Sequence, residues 1–157
     1  MNLRKKFRIG VIGGSEINSR IYEIAYKVGR EIAKNDCILV CGGLGGVMEA
    51  VSKGAKENGG IVIGILPGTD ADDANPYVDI PIPTGISYAR NMIVVLNSDV
   101  IIAIDGKYGT LSEISYANIF GKKVIGIETW EIEGVEKADN AEDAVKKAIS
   151  FLKSNKF

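Results

Sequence analysis

The sequence predicts a doubly wound α/β fold, a mostly parallel sheet with helices on both faces. Three observations carry this. Short, nearly continuous apolar runs alternate with longer stretches at helical spacing, the pattern of strands covered on both faces by crossover helices. Three of the runs lead straight into glycine-rich turns: "VIGGS" (11–15), "VCGGLGGVME" (40–49) and "AIDGKYGTLSE" (103–113). The 157 residues contain no Pro/Gly/Ser linker, so they read as one doubly wound domain over 1–157. A chain of that length can bury roughly 70% of its unfolded surface.

Taken in order, "FRIGVIG" (7–13) is the first strand, and 18–34 carry Ile21, Ile24, Ala25, Val28 and Ile32 at helical spacing. "CILVC" (37–41) is a buried strand. A helix over 46–58 follows, closed by Asn58-Gly59-Gly60, and within it Gly54 suits close helix packing. "IVIGIL" (61–66) is the third strand. The segment 67–85 holds all four prolines and reads as irregular, with a short strand at 78–80. A helix over 87–97, with Ser87 as N-cap, leads to the strand "VIIAI" (100–104) and a helix over 110–120. The strand "KVIGI" (123–127), a segment of low order at 128–139 and a helix over 140–153 complete the chain.

Composition narrows the function. Hydrophobic residues at 46% and charged residues at 25% are ordinary for a soluble globular protein. A net charge of -1 and a pI near 5.6 speak against general electrostatic binding of nucleic acid or membrane. "RKKFR" (4–8) is the only dense basic run and reads as a solvated N-terminus. Neither a signal peptide nor a membrane span is expected, which with Cys37 and Cys41 as reduced core residues predicts a cytoplasmic protein. The absence of histidine removes Ser-His and Cys-His dyads and the usual transition-metal ligand. Chemistry must come from carboxylates, Arg, Lys, hydroxyls and backbone, and neither metal nor cofactor is expected. Asp70, Asp72 and Asp73 lack the Gly and Glu of a calcium loop and read as a solvated loop or lid.

A parallel sheet places the three glycine turns on one edge. Helix N-termini would then aim free N–H groups and positive dipole ends at one crevice, an anion site built from backbone. Its candidate residues are Gly13, Gly14, Ser15, Gly42, Gly43, Gly45, Gly46, Gly106, Lys107, Gly109 and Thr110. The alternative is tight strand-to-helix packing alone. Neither the G-x-G-x-x-G dinucleotide pattern nor a Walker A loop occurs. Two turns share the spacing Gly-x-x-Gly-x-x-x-Glu, matching Gly42, Gly45 and Glu49 with Gly106, Gly109 and Glu113.

Two charged residues stand out. Thr110-Leu111-Ser112-Glu113 can form a capping box, with Glu113 returning to the Thr110 amide. Arg90, at the third position after Ser87, would oppose the helix dipole by roughly 0.3–1 kcal/mol. Such a local conflict is commonest at functional sites. An anion held there would reverse its sign; otherwise the side chain snorkels to solvent. Lys107 either adds charge to a phosphate or faces water. Tyr88 and Tyr108 either stack on a base or sit at the edge of the core.

The segments "GGLGGVMEAVSKGAKENGGIVIGILPG", "YARN" and "DGKYGTLSEI" resemble the Rossmann-like group known as "possible lysine decarboxylase". That group includes the LOG cytokinin-activating phosphoribohydrolases and the molybdenum cofactor carrier proteins, and the resemblance spans about 7–127. No signature of a pyridoxal phosphate site accompanies the decarboxylase name. LOG enzymes carry P-G-G-x-G-T-x-x-E and an upstream Arg-Lys pair. The resemblance therefore implies Arg90 and Glu113 as catalytic residues, with Gly106, Gly109 and Thr110 on phosphate. The chain departs at Asp105 for Pro, Lys107 for the second Gly and Asn91 for Lys.

What the resemblance implies is a nucleotide-binding protein that hydrolyses the N-glycosidic bond of nucleoside 5′-monophosphates. Glu113 would stabilise oxocarbenium-like charge or orient water, and Arg90 would anchor phosphate or polarise the ribose. The alternative is a non-catalytic carrier or sensor of a nucleotide or a phosphorylated pterin such as molybdenum cofactor. Either way the partner is a small phosphorylated ligand. The resemblance further implies a homodimer or higher homo-oligomer, for which "MIVVL" (92–96) would serve as interface or core.

Overall fold

The apolar runs become strands β1 (Arg8–Gly13), β2 (Ile38–Cys41), β3 (Ile61–Leu66), β4 (Ile80–Pro83), β5 (Val100–Ile104), β6 (Val124–Ile127) and β7 (Val135–Lys137) in the computed structural model, which describes residues 2–155. They form one sheet in the order β4-β3-β2-β1-β5-β6-β7, with every neighbouring pair parallel. The helices are α1 (Ser19–Lys34), α2 (Val47–Glu57), α3 (Arg90–Leu96), α4 (Tyr108–Ile119) and α5 (Ala141–Ser154). This is the doubly wound Rossmann-like architecture expected from the sequence.

Each face of the sheet has its own core. Ile9, Val11, Leu39, Ile102 and Ile104 pack with Val28 and Ile32 of α1, Val47 and Val51 of α2, and Val145 and Leu152 of α5. On the other face Ile12, Val40, Ile65, Ile101 and Val124 meet Val94 and Val95 of α3 and Ile114 and Ala117 of α4. Consecutive strand residues thus point into two different cores, which is why the runs are continuous instead of alternating. The chain winds outward from β1 to β4, then returns to lay β5 on β1's other side. That reversal opens a crevice above the carboxyl ends of β1 and β5.

Asn18 caps α1 by accepting from the Ile21 amide at 2.9 Å, and Asn140 caps α5 through the Asp143 amide at 2.8 Å. Helices α1 and α2 cross at Gly29 and Gly54, the packing role that the sequence suggested for Gly54. A Cβ on Gly54 would lie 2.0 Å from the Tyr26 carbonyl oxygen, and one on Gly29 would lie 2.0 Å from that of Val51. Cys37 and Cys41 are buried and form no disulfide; burial pushes the Cys37 thiol up to about 11. No helix among the described residues is long and apolar enough to cross a membrane.

Four local expectations change. The segment 128–139 is not without order, since Val135–Lys137 adds β7 to the edge of β6. The proline-rich strand falls at Ile80–Pro83, later than 78–80. As an edge strand it needs only one row of backbone partners, so Pro81 and Pro83 are tolerated. Ser87 is not a helix cap: it has φ of 56° within a 3-10 turn, and α3 begins at Arg90 itself.

The capping box at Thr110 does not form either. Asp105 and Gly106, at φ of 54° and 102°, turn the chain so tightly that α4 begins at Tyr108, two residues early. Glu113 is therefore the sixth helical residue, beyond reach of the helix start. The acidic loop holds a 3-10 turn at Ala71–Asp73, capped by Asp70 and exposed.

Candidate functional site

A cleft of about 470 Å³ occupies the crevice. The β1 turn contributes Gly13, Gly14, Ser15 and Glu16, and the β2–α2 segment contributes Gly42, Leu44 and Met48. Asp105, Lys107, Gly109, Thr110 and Glu113 come from β5 and α4, and Tyr88, Arg90 and Asn91 from α3 and the turn before it. Residues far apart in sequence meet here because three parallel strands end side by side.

Of the residues singled out by sequence, Gly13, Gly14, Ser15, Gly42, Arg90, Lys107, Gly109, Thr110 and Glu113 line the cleft. Gly43, Gly45, Gly46 and Gly106 do not. A Cβ on Gly46 would strike the Gly14 carbonyl oxygen at 2.2 Å, and one on Gly106 would strike the Thr110 hydroxyl at 2.2 Å. Gly46 lets backbone pass backbone, and Gly106 makes room for the Thr110 side chain. Gly43 likewise lies against β3, where a Cβ would meet Leu66 at 2.6 Å, while Gly45 has only the Ser15 carbonyl within reach, at 4.0 Å. The Val47 amide, first in α2, donates to the Gly14 carbonyl at 2.9 Å. That N-terminus is partly spent on joining the two turns.

Helix α4 is more open. Its first return bond runs from the Leu111 amide to the Lys107 carbonyl at 2.9 Å, which leaves the amides of Tyr108, Gly109 and Thr110 at the helix mouth. Lys107 is exposed at that mouth, so cleft-facing charge and solvent access coexist. Tyr88 and Tyr108 are each 79% exposed and neither belongs to the core edge. Tyr88 lines the cleft, whereas Tyr108 lies 6.1 Å from the Trp130 ring.

Arg90 does not snorkel. It is 7% exposed, with Nε donating to the Ile65 carbonyl at 3.0 Å and Nη1 donating to Asn91 Oδ1. A Cβ on Gly42 would lie 2.8 Å from Nη2, so Gly42 makes room for the guanidinium. Burial lowers the Arg90 pKa and Glu113 opposes the shift, but a guanidinium stays charged in protein.

Glu113 is 8% exposed and lines the cleft. Burial pushes its carboxyl up to about 8, with Arg90 pulling the other way. The cleft thus brings a carboxyl whose ionisation burial disfavours near a buried cation.

Sequence reasoning did not single out Glu16, Leu44 or Met48 as site residues, and it read Asn91 and Asp105 only as departures from a motif. For Asp105 the signal was an acid followed by glycine at a strand end; Gly14 matches it, since a Cβ there would lie 2.8 Å from Asp105 Oδ2. Leu44 and Met48 carry no signal beyond ordinary apolar spacing.

Residues 6–154 match the SLOG cluster4 family. The chain belongs to that family. This SLOG protein is 46% identical over 147 residues to an uncharacterized protein of Archaeoglobus fulgidus, covering 93% of this chain and 97% of the relative. It is 30% identical over 126 residues to the cytokinin riboside 5′-monophosphate phosphoribohydrolase of Mycobacterium tuberculosis, covering 74% and 67% respectively. Among solved structures, the molybdenum cofactor binding protein from Rippkaea orientalis superposes with a TM-score of 0.89 at 35% identity, covering 94% of this chain and 98% of that one. The molybdenum cofactor carrier protein from Chlamydomonas reinhardtii gives a TM-score of 0.88 at 33% identity, covering 95% and 99%. The SLOG chain therefore shares family and fold with LOG-like proteins, as its motifs suggested.

Proposed function

We propose that this SLOG protein binds a small phosphorylated heterocycle, a nucleotide or a phosphorylated pterin, in the cleft over β1 and β5, and carries it unchanged. The observation that carries this reading is the superposition over nearly the whole chain, at 35% and 33% identity, on proteins described as binding and carrying molybdenum cofactor. A Glu113 carboxyl whose pKa burial raises can serve such a cargo as a hydrogen-bond donor.

The remaining wall suits such a ligand. The Gly13–Ser15 turn, the open mouth of α4 and Lys107 together fit a phosphate. Leu44 and Met48 offer an apolar surface to a ring, while Arg90 and Glu113 offer donors to its edge. The near-complete superposition on proteins described as binding or carrying molybdenum cofactor supports carriage of a related cargo.

A second reading, hydrolysis of nucleoside 5′-monophosphates, is favoured by one observation. Arg90 and Glu113, which match the LOG motif, both face the cleft. Incubation with AMP and N6-substituted analogues, followed by chromatography for free base, separates the two. The expected result is saturable binding by calorimetry with no base released above the protein-free control. Lys107→Ala should weaken AMP about two- to fivefold, the scale of one exposed charge contact. Base release that disappears in Glu113→Gln would replace carriage with hydrolysis. Failure of AMP, GMP and molybdenum cofactor alike to bind would remove both readings.

A further inference from the structure

Asn91 stands where LOG enzymes have lysine, and its surroundings show a use for the amide that a lysine could not supply. It is the second residue of α3, 2% exposed, and both ends of its side chain are engaged. Oδ1 accepts from Arg90 Nη1, and Nδ2 donates to Ser112 Oγ at 3.1 Å. Ser112 Oγ in turn donates to the Gly109 carbonyl at 2.6 Å.

The direction of this chain is forced. Arg90 has only donors, so the atom facing it must be the amide oxygen. The single Ser112 proton is already given to Gly109, so the atom facing Ser112 must be the amide nitrogen. Asn91 therefore links a buried cation on α3 to the first turn of α4, where the open amides lie.

The link also decides what Arg90 can offer. A guanidinium has five N–H groups. Nε is committed to Ile65 and one Nη1 proton to Asn91, which leaves the second Nη1 proton and the Nη2 pair, and it is the Nη2 pair that lies beside Gly42 as the donor edge at the cleft. We propose that Asn91 is a positioning residue: it fixes which edge of Arg90 meets the ligand and holds that edge in register with the phosphate-binding mouth of α4. The ligand class follows from this geometry. It carries a phosphate at one end and, towards Arg90, an acceptor such as a ring nitrogen, carbonyl or hydroxyl oxygen for the Nη2 protons. Lysine at position 91 would offer no acceptor and would set a second cation beside the first.

The ligand part of this inference rests on the function proposed above; the placement of Arg90 does not, and the test uses that difference. Arginine side-chain 15N–1H spectra of the full-length protein report the Nε and Nη signals of Arg90, assigned by their loss in Arg90→Lys. In the wild type, distinct and slowly exchanging Nη signals are expected. Asn91→Leu and Asn91→Lys should collapse them and weaken AMP about tenfold or more, the usual effect of losing hydrogen bonds to a charged group. Asn91→Asp keeps an acceptor for Arg90 and should restore the Nη signals. Ser112→Ala should preserve them too while still weakening AMP, because only the tie to α4 is cut.

Unchanged Arg90 signals in folded Asn91→Leu would overturn the proposal. So would equal loss in Asn91→Leu and Asn91→Asp, since that would mark a packing role. If the wild type binds no phosphorylated compound, the proposed function fails, and the positioning role stands or falls on the Arg90 signals alone.

Discussion

Glu113→Gln is expected to stabilise the protein at pH 7 by about 3 kcal/mol and to leave its stability nearly unchanged at pH 4. The cause is burial. In the unfolded chain this carboxyl titrates near its ordinary 4.5, whereas in the folded protein desolvation raises it to about 8. Below pH 4.5 both states hold the proton and the residue costs nothing extra. Between 4.5 and about 8 the unfolded chain releases its proton and the folded protein does not. Stability then falls by about 1.4 kcal/mol for each pH unit until the folded-state carboxyl also ionises.

Glutamine has the same shape, keeps a donor and has no proton to lose. For a chain of this length the gain at pH 7 corresponds to a rise in Tm of about 6–12 °C. Denaturant melts of wild type and variant from pH 4 to 9 should show a difference that opens above pH 4.5 and levels off near 8. Parallel curves across that range would show that Glu113 is ionised in the folded protein and offers no donor to a ligand. Occupation of the cleft by a phosphate should raise the carboxyl further, because a second negative charge nearby disfavours ionisation.

Gly54→Ala should cost about 2–3 kcal/mol, although alanine is the better helix former. In an open helix the exchange would gain about 1 kcal/mol. Here the new methyl would stand 2.0 Å from the Tyr26 carbonyl oxygen, and backbone of α1 cannot yield as a flexible side chain would. The two helices must separate, loosening contacts around Val28 and Val51 in the larger core. A fall in Tm of about 5–10 °C is expected.

Gly29→Ala should behave alike, since its methyl would meet the Val51 carbonyl oxygen at 2.0 Å. The double variant should lose less than the two single losses combined, because one separation admits both methyls. Additive losses would mean that the two glycines do not share one crossing.

The sequence alone was enough for the fold class, five of the seven strands and the edge of the sheet where the site lies, with the proline-rich β4 misplaced at 78–80. Those features rest on local pattern. Continuous apolar runs require cover on both faces, and parallel strands bring successive turns to one end. The short, half-exposed β7 carried no such pattern and was missed. Arg90 and Glu113 could also be singled out from their own neighbours, Arg90 by its place near a helix start and both by motif.

Their roles could not. The turn at Asp105 and Gly106 moved the helix start, so the capping box that explained Glu113 vanished and the residue became a buried acid. Four of the predicted glycines proved to lie off the cleft, Gly46 where backbone crosses backbone and Gly106 against the Thr110 side chain, and Asn91 proved to be the tie between Arg90 and α4. Desolvation and hydrogen-bond partners depend on groups brought together across the sheet, such as Ile65 with Arg90 and Asn91 with Ser112. Local sequence encodes the elements; the charge state and aim of the residues between them belong to the tertiary structure.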